Sequence, residues 1–223
     1  MKKAPEKFRF AALAVDAIVL GFVDGELCGL VSNVNRPPHY VNVPGFLGGM
    51  VDAKETAEET CVRVLNEKGN LEKVYLEQLY TFSAVNRDKR NRVVSVAYFG
   101  LVRPDTAATY NHPEASFVPV KKLKKLAYDH DDMLAMAIGR LQGKLSYTTI
   151  AQHLLSRHFT LSELQSIYEA LIGKEFDKRN FRKKILALDI VKETGRLQEG
   201  VKNRPAALYE FKSQKVQELQ LLV

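Results

Sequence analysis

The segment GGMVDAKETAEETCVRVLNEKGNL, residues 48–71, constrains the fold more than any other part of the chain. Two glycines lead into a loop, and the helix predicted after the loop carries Glu59, Arg63 and Glu67. The Gly69-Asn70 pair supplies a stop signal for that helix, because these two residue types adopt left-handed conformations readily. The segment therefore predicts a tight loop and a charged helix that form one unit.

The spacing of three residues in this segment matches part of a known motif. Gly49, Glu55 and Arg63 are separated by five and seven residues. This is the first half of the Nudix box, G-x5-E-x7-R-E-U-x-E-E-x-G-U, where U is a bulky aliphatic residue. The segment therefore resembles a Nudix domain in its scaffold.

The second half of the box differs at the positions that carry the chemistry. Nudix enzymes bind magnesium through carboxylates on one helix face, and positions 64, 67 and 68 are neighbours on such a face. Here Val64 and Lys68 replace two of the three glutamates, and only Glu67 remains. Since Val64 supplies no oxygen and Lys68 is a cation, we predict no catalytic residue, no bound metal and no cofactor.

Length and charge indicate two domains with different partners. A chain of 223 residues is long enough for two modest domains. The net charge is +7, and residues 144–223 hold 14 Lys and Arg against 9 Asp and Glu. Within residues 174–204 the ratio is 10 to 5. This local excess indicates a polyanionic partner for the C-terminal part.

The two cysteines and the hydropathy pattern indicate the cellular compartment of the protein. Cys28 and Cys61 have no metal-ligand spacing, so we expect buried free thiols and a cytoplasmic protein. Asp16 interrupts the first hydrophobic run, which leaves no signal-peptide core. No segment approaches the roughly 20 apolar residues of a membrane span, so no membrane partner is expected.

The first 143 residues predict a strand-rich domain. Asp24-Gly25 between two apolar runs predicts a hairpin. Residues 32–40 are predicted to be a loop, with Arg36 just past the end of a strand. A helix is predicted to begin at His130 and to end near Gly143. Strands are expected at Ala14–Phe22, Leu27–Val31, Lys73–Phe82, Arg92–Val102 and Ser116–Val120.

A basic loop lies between the two later strands. Arg87, Arg90 and Arg92 follow one another closely there, and arginine suits bidentate contacts with phosphate. In a Nudix fold this loop lies beside the pocket that faces a diphosphate. We predict that a ligand pocket is lined by Arg36, Gly48, Gly49, Glu67, Arg87 and Arg92.

Residues 160–188 predict two helices joined by a tight turn. Thr160 and Glu163 form a capping-box pattern, and Gly173 is a helix-ending residue. Asp177 caps a second helix, Lys178–Leu188. At about 100° per residue, Arg179, Arg182 and Lys183 fall on its exposed arc. This is the helix-turn-helix pattern, in which the second helix enters the major groove.

A hairpin with a basic loop follows the second helix. Strands are predicted at Asp189–Glu193 and Ala206–Phe211, and the loop between them has the layout of a wing. We predict DNA contacts, mostly with phosphates, from Lys178, Arg179, Arg182, Lys183, Arg196, Lys202 and Arg204.

Several motifs together make the whole chain resemble the Nudix-related transcriptional regulators, whose best-known members control genes of NAD metabolism. They are NRDKRNRVVSVAYF at 86–99, YDHDD at 128–132, DKRNFRKK at 177–184 and RPAALY at 204–209. The resemblance implies a homodimer that binds a double-stranded operator through two winged helices. It also implies a small-molecule effector in the former catalytic pocket, ADP-ribose in several members and a pentose in related regulators.

These features together predict an α+β protein. Residues 1–143 are expected to form a Nudix-like α/β/α sandwich that binds the effector, and residues 144–223 a winged helix-turn-helix domain that binds DNA. The predicted function is ligand-responsive repression of transcription. Two alternatives stay open at this point: a Nudix hydrolase acting on ADP-ribose with an accessory DNA-binding domain, and a regulator whose pocket is vestigial and whose input is another protein.

Overall fold

The computed structural model describes residues 10–200 and 205–219. The first part of the chain forms a mixed β-sheet. Its strands are β1 (Ala12–Val23), β2 (Glu26–Arg36), β3 (Tyr40–Gly45), β4 (Leu47–Met50), β5 (Tyr75–Phe82), β6 (Val93–Leu101) and β7 (Ala115–Pro119). The strand order is β3-β2-β1-β6-β5, with β4 paired to β1 and β7 paired to β2. β1 is central, because it is antiparallel to β2 and β4 and parallel to β6.

Helices cover the sheet and continue into the C-terminal part. They are α1 (Ala57–Gly69), α2 (Pro104–Ala108), α3 (His130–Tyr147), α4 (Leu161–Ile172) and α5 (Lys178–Ala187). Two short 3-10 segments are at Val120–Lys122 and Ile150–Leu154, and the strands β8 (Val191–Leu197) and β9 (Ala207–Phe211) form a hairpin. None of the helices in the described ranges combines the length and the apolar character needed to cross a bilayer.

Alternate residues of β1 pack on opposite faces of the sheet, as the pleat of a strand requires. Val15 and Val19 belong to a buried cluster that includes Val64 of α1. Ile18 belongs to a second cluster that includes Met133 of α3. The sheet therefore lies between α1 and α3, which confirms the predicted α/β/α sandwich. Both cysteines are buried free thiols, as predicted.

The hairpin between β1 and β2 is confirmed, but the loop predicted at residues 32–40 is wrong. Asp24 and Gly25 have φ values of 50° and 79°, the geometry that a two-residue hairpin turn needs. β2 continues to Arg36 and pairs with β3, which leaves only a turn between the two strands. The sequence NVNR conceals this strand because β3 is the outermost strand of its side of the sheet, where polar side chains face water.

The predicted end of α3 near Gly143 is also wrong, because this helix continues to Tyr147. A glycine ends a helix only when a left-handed residue is needed there, and Gly143 is not one of the positive-φ glycines. The fully buried Leu145 favours continuation by packing in the core. The predicted division between residues 143 and 144 thus falls inside α3 and stays a prediction.

The C-terminal part has the predicted winged helix-turn-helix arrangement. Thr160 and Glu163 form the capping box of α4, and Gly173 ends this helix with φ 74°. Asp177 caps α5 by accepting a hydrogen bond from the Asn180 N–H. β8 begins later than predicted and extends further, to Leu197, so part of the predicted loop is strand. The core of this unit is continuous with the cluster on the α3 face of the sheet.

A half-buried histidine lies where the two units meet. His153, in the second 3-10 segment, stacks on Tyr75 of β5 with ring centroids 4.4 Å apart. Its Nε2 is buried and has no hydrogen-bond partner among the described residues. Burial, with a smaller contribution from the charge of Arg103, lowers the pKa of His153 to about 4. The neutral imidazole is therefore part of the junction.

This histidine predicts a loss of stability in acid. The folded pKa of about 4 lies below the unfolded value of about 6.5, so the folded protein binds fewer protons between these values. The contribution is complete above pH 6.5 and is lost as the pH falls toward 4, by about 2 kcal/mol after allowance for partial exposure. Urea unfolding at pH 4.5, 5.5 and 7 should show a smaller pH dependence for His153→Phe. The exposed His39→Gln is the control, and equal pH dependence in both variants would contradict the assignment.

Candidate effector cavity and nucleic-acid interface

The half of the box that matches the Nudix pattern forms a structural brace. Arg63 donates from Nε to Glu55 Oε1 at 2.7 Å and from Nη2 to Glu55 Oε2 at 2.9 Å. Arg63 and the Thr60 hydroxyl together hold the pKa of Glu55 at about 2. Arg63 Nη2 also donates to the Met50 carbonyl at 3.3 Å. These bonds attach the loop after β4 to α1.

Residues at the two ends of α1 cap this helix. Thr56 and Glu59 form a reciprocal capping box at its start, so Glu59 has a structural partner. At its end, Asn70 takes the left-handed conformation with φ 47°, one residue after the glycine of the predicted stop signal. Asparagine tolerates this conformation better than most residues.

The other half of the box does not fit a divalent metal. Lys68 Nζ donates to the Gly48 carbonyl oxygen at 2.6 Å, so that oxygen already accepts a hydrogen bond from an ammonium group. Val64 is fully buried, and a Cβ built at Gly49 would lie 2.7 Å from its Cγ2. Glu67 is exposed, and among the described residues it accepts a single long bond, 3.4 Å, from Arg63. Magnesium needs several oxygen ligands, and these residues do not provide them.

A buried ion-pair network lies behind this region, on the α3 side of the sheet. Arg87 is 7% exposed and donates from Nε and Nη2 to Asp129 at 2.9 and 2.7 Å. Nη2 also donates to Asp16 at 3.1 Å, and the Ser95 hydroxyl donates to the same carboxylate at 2.7 Å. Two carboxylates from distant segments thus hold one buried arginine.

Asp16 connects this network to Gly48 of β4. Gly48 lies opposite Asp16 in the β1–β4 register, and a Cβ at Gly48 would collide with the Asp16 carboxylate. His130 accepts the Phe46 N–H at Nδ1, which leaves the imidazole proton on Nε2, 3.3 Å from Asp16. Burial raises the pKa of Asp16, but His130, Ser95 and Arg87 lower it more, so its net pKa is below the usual value.

A cavity of about 560 Å³ opens beside Arg87, between the loop after β5 and the start of α3. Three of its lining residues are tyrosines, and Tyr40 and Tyr128 pack with ring centroids 4.3 Å apart. Lys89 lies over Tyr40 at 6.0 Å, an attractive cation–π geometry. Tyr80 is 56% exposed. The size and the mixture of aromatic and polar groups suit a small-molecule ligand.

The six residues predicted to line a pocket are not all brought together. Arg87 lines the cavity. Gly48 does not line it, but it lies opposite Asp16, which accepts a hydrogen bond from Arg87. Arg36 and Arg92 each donate to a backbone carbonyl, those of Asn35 and Ala84. Glu67 lines a separate shallow depression on the outer face of α1, and Gly49 lies in β4.

Sequence reasoning missed most of the cavity lining. The three tyrosines, Asn86 and Lys89 come from separate segments, and only the fold shows that they share a cavity. A usable signal was present in the YDHDD motif, because Tyr128, Asp129 and Asp132 all line the cavity. The motif contributed to the resemblance, but no pocket role followed from it.

The second candidate site is the exposed face of α5. Phe181 and Ile185 point into the core, and the basic residues of this helix are exposed. Among the described residues, no acidic side chain forms an ion pair with Lys178, Arg179 or Lys183. Unpaired cations on one helix face suit a polyanion such as the phosphates of a duplex.

Arg182 has a partner on the hairpin. Its Nη2 donates to the Tyr209 hydroxyl at 3.2 Å, and that hydroxyl donates to Glu193 of β8 at 3.4 Å. Arg196 is exposed on β8, just after Gly195, whose φ is 73°. Lys202 and Arg204 lie outside the described residues. The hairpin therefore presents at least one cation and is linked to α5 through Arg182.

Side chains of α4 fix the turn that sets the angle between α4 and α5. Gln165 Nε2 donates to the Phe176 carbonyl at 2.7 Å, and the Phe176 N–H donates to Glu169 at 2.8 Å. Gln165 Nε2 also donates to Glu169 Oε1 at 2.8 Å. This bond, followed by that from the Phe176 N–H, lowers the pKa of the Glu169 carboxyl. The turn is thus held rigid relative to α4.

Comparison with protein families finds two matches along the chain. The Nudix domain matches residues 12–137. The NrtR DNA-binding winged helix domain matches residues 151–211. The two matches cover the sandwich and the winged helix in the order that the sequence predicted.

Known relatives match this chain over most of its length or over its Nudix-like part. The ADPR responsive transcriptional repressor NtrR of Acinetobacter baylyi is 34% identical over 207 residues, which are 89% of this chain and 81% of that protein. Shewanella oneidensis NrtR complexed with a 27mer DNA superposes with a TM-score of 0.77 at 30% identity, covering 90% of this chain and 93% of that one. The NUDIX domain of the same protein complexed with ADP ribose has a TM-score of 0.52 at 27% identity, covering 62% of this chain and 93% of that one.

Proposed function

The chain belongs to the Nudix-related transcriptional regulators, and we propose that it is a repressor whose binding to operator DNA responds to ADP-ribose. The observation that carries the proposal is the exposed face of α5, where basic side chains lack acidic partners in the described structure. This face belongs to the second helix of a helix-turn-helix, the element that enters the major groove. We place the protein in the cytoplasm, where such an operator would be.

The DNA-binding surface consists of α5 and the hairpin. Lys178, Arg179, Arg182 and Lys183 would contact the duplex from the helix, and Arg196, Lys202 and Arg204 from the hairpin. Most of these contacts are with phosphates, which position the protein, while one or two helix residues read base edges. A homodimer would place two winged helices on two half-sites of one operator.

The effector-binding region lies in the Nudix-like domain. The related NUDIX domain was crystallised with ADP ribose, and the cavity beside Arg87 offers aromatic rings for a planar base and polar groups for a ribose. Arg36, Gly48, Gly49, Glu67, Arg87 and Arg92 stay our proposed effector contacts, although of these only Arg87 lines this cavity and Glu67 lines a separate depression on α1. Since Lys68 occupies the Gly48 carbonyl, binding without magnesium-dependent cleavage is the expected behaviour.

A single helix connects this region to the winged helix. Asp132, near the start of α3, lines the cavity. Near its other end, Gln142 Nε2 donates to the Leu171 carbonyl of α4 at 2.7 Å. An 18-residue helix spans about 27 Å. Effector binding can control repression only if ADP-ribose has different affinities for the DNA-competent and DNA-incompetent states. α3 is the element that contacts both the cavity and α4, the helix that precedes α5.

Thermal unfolding in the presence of ADP-ribose gives one quantitative prediction. At about one hundred times its Kd, a ligand stabilises the folded state by about 2.7 kcal/mol. For a protein of this size, that raises Tm by about 5–10 °C. A pentose and AMP serve as comparison ligands. If no nucleotide, NAD fragment or pentose raises Tm, the vestigial-pocket alternative replaces this proposal.

The function is tested by titrating fluorescent duplex from the upstream region of candidate target genes with the full-length protein, with and without ADP-ribose. We expect specific binding at physiological salt and a change in affinity of at least tenfold when ADP-ribose is added. The hydrolase alternative is tested in parallel by AMP release from ADP-ribose with magnesium. Magnesium-dependent release of AMP that Glu67→Gln abolishes would support the hydrolase instead.

A further inference from the structure

The exposed face of α5 contains an apolar residue among its cations. Phe181 and Ile185 are buried. At about 100° per residue, the opposite side of the helix is centred on Arg179, Lys183 and Leu186. Leu186 is 41% exposed. A leucine therefore lies on the side of α5 that we assign to DNA, at the C-terminal end of its row of cations.

The rest of the described chain covers this leucine only in part. Leu188, two residues later, packs against the hydrophobic cluster of the winged helix, whereas Leu186 belongs to neither cluster of the described residues. A single exposed leucine is ordinary on a protein surface. Here its position matters, because Lys183 and Arg179 lie about one and two helical turns before it and have no ion-pair partners in the described structure.

The structure also ranks the candidate base readers of α5. Arg182 lies on the side of the helix that faces the hairpin, where Tyr209 holds its guanidinium. Arg179, Lys183 and Leu186 are spaced i, i+4 and i+7 and form one continuous stripe away from the core. The stripe offers a planar cation, an ammonium group and an apolar side chain to whatever lies against it.

We propose that Leu186 is a specificity-determining residue that contacts the C5 methyl group of a thymine in each operator half-site. This inference rests on the proposed DNA-binding function and deepens it. The thymine methyl is the apolar group that base pairs present on the floor of the major groove, while phosphates and the other base edges are polar. Arg179 and Lys183, on the same stripe, supply the neighbouring polar contacts.

The test removes the methyl group from the DNA and the leucine from the protein. An operator is first selected from a random duplex library with the full-length protein. Each thymine is then replaced in turn by deoxyuridine, which removes only the C5 methyl. For the wild type we expect about a fourfold loss of affinity at one thymine per half-site, the effect of losing one buried methyl. Leu186→Ala should bind more weakly and should be insensitive to deoxyuridine at that same position.

Control variants make the result specific. Val62→Ala changes an apolar residue of matched exposure, 42%, on α1 and should keep the wild-type sensitivity. Leu186→Gln, which keeps a long side chain on the helix, replaces Leu186→Ala if the latter fails to unfold cooperatively. Equal deoxyuridine sensitivity in the wild type and the Leu186 variant at every thymine would overturn the inference and leave the repressor function standing. Failure to bind any duplex would remove both.

Discussion

Replacing Arg179 and Lys183 together with alanine should weaken operator binding by about a hundredfold. Both side chains are exposed on the outer stripe of α5, and charge-assisted contacts of this kind contribute roughly tenfold each. If each cation neutralises one phosphate, the slope of log K against log salt should become shallower by about two. Fluorescence anisotropy at four salt concentrations measures both quantities, and the affinity for ADP-ribose should stay unchanged.

The matched control removes the same charge elsewhere. Lys54 and Lys124 are exposed lysines on the Nudix-like domain, and their double alanine variant should keep operator affinity within about twofold. Arg182→Ala should give a loss of operator affinity between that of the control and that of the double variant. It removes one cation and also the hydrogen bond to the Tyr209 hydroxyl that links α5 to the hairpin. If the Arg179 and Lys183 double variant keeps both the wild-type affinity and the wild-type salt slope, α5 is not the recognition helix.

Arg87→Ala should destabilise the protein by about 3–5 kcal/mol, the largest stability effect that we expect. The guanidinium is almost completely buried and is shared by Asp16 and Asp129. Removing it leaves two carboxylates in a low-dielectric region without their cation, and a broken buried pair is costly for that reason. Urea unfolding at pH 7 measures the change through the midpoint at constant m-value.

Two further variants separate this explanation from general damage to the loop. Arg92, at the end of the same loop, is exposed and donates to backbone carbonyls, so Arg92→Ala should cost less than about 1 kcal/mol. Asp129→Asn in the Arg87→Ala background should recover part of the loss, because it removes one of the orphaned charges. A loss below 1 kcal/mol for Arg87→Ala would show that the buried network does not hold this region together.

The Nudix box illustrates how one motif can be kept for its structural half alone. Glu55 and Arg63 still attach the loop to the helix, and their spacing was visible in the sequence. The positions that would gather a metal instead hold a buried valine and a lysine bonded to Gly48. A pocket of this kind can bind a nucleoside diphosphate sugar and leave it intact, which is what a sensor requires.

The local features of the fold were predictable because their causes lie within a few residues of each other. The capping box of Thr160 and Glu163, the left-handed Gly173 and the Asp24-Gly25 turn each depend on neighbours in the chain. The amphipathic pattern of α5 likewise separates buried from exposed residues by helix geometry alone. The domain types therefore followed from the sequence, with the family resemblance as support.

The role of Arg87 shows what the sequence alone could not decide. Its position in a basic loop predicted a residue available to a ligand, whereas the fold brings it to Asp129 and to Asp16, 42 and 71 residues away in the chain. The cavity has the same origin, because its tyrosines come from β3, β5 and the segment before α3. Caps and turns depend on neighbouring residues and can therefore be predicted from the sequence. Burial and ion pairing depend on which distant segments come into contact, and only the packing of the sheet and its helices decides this.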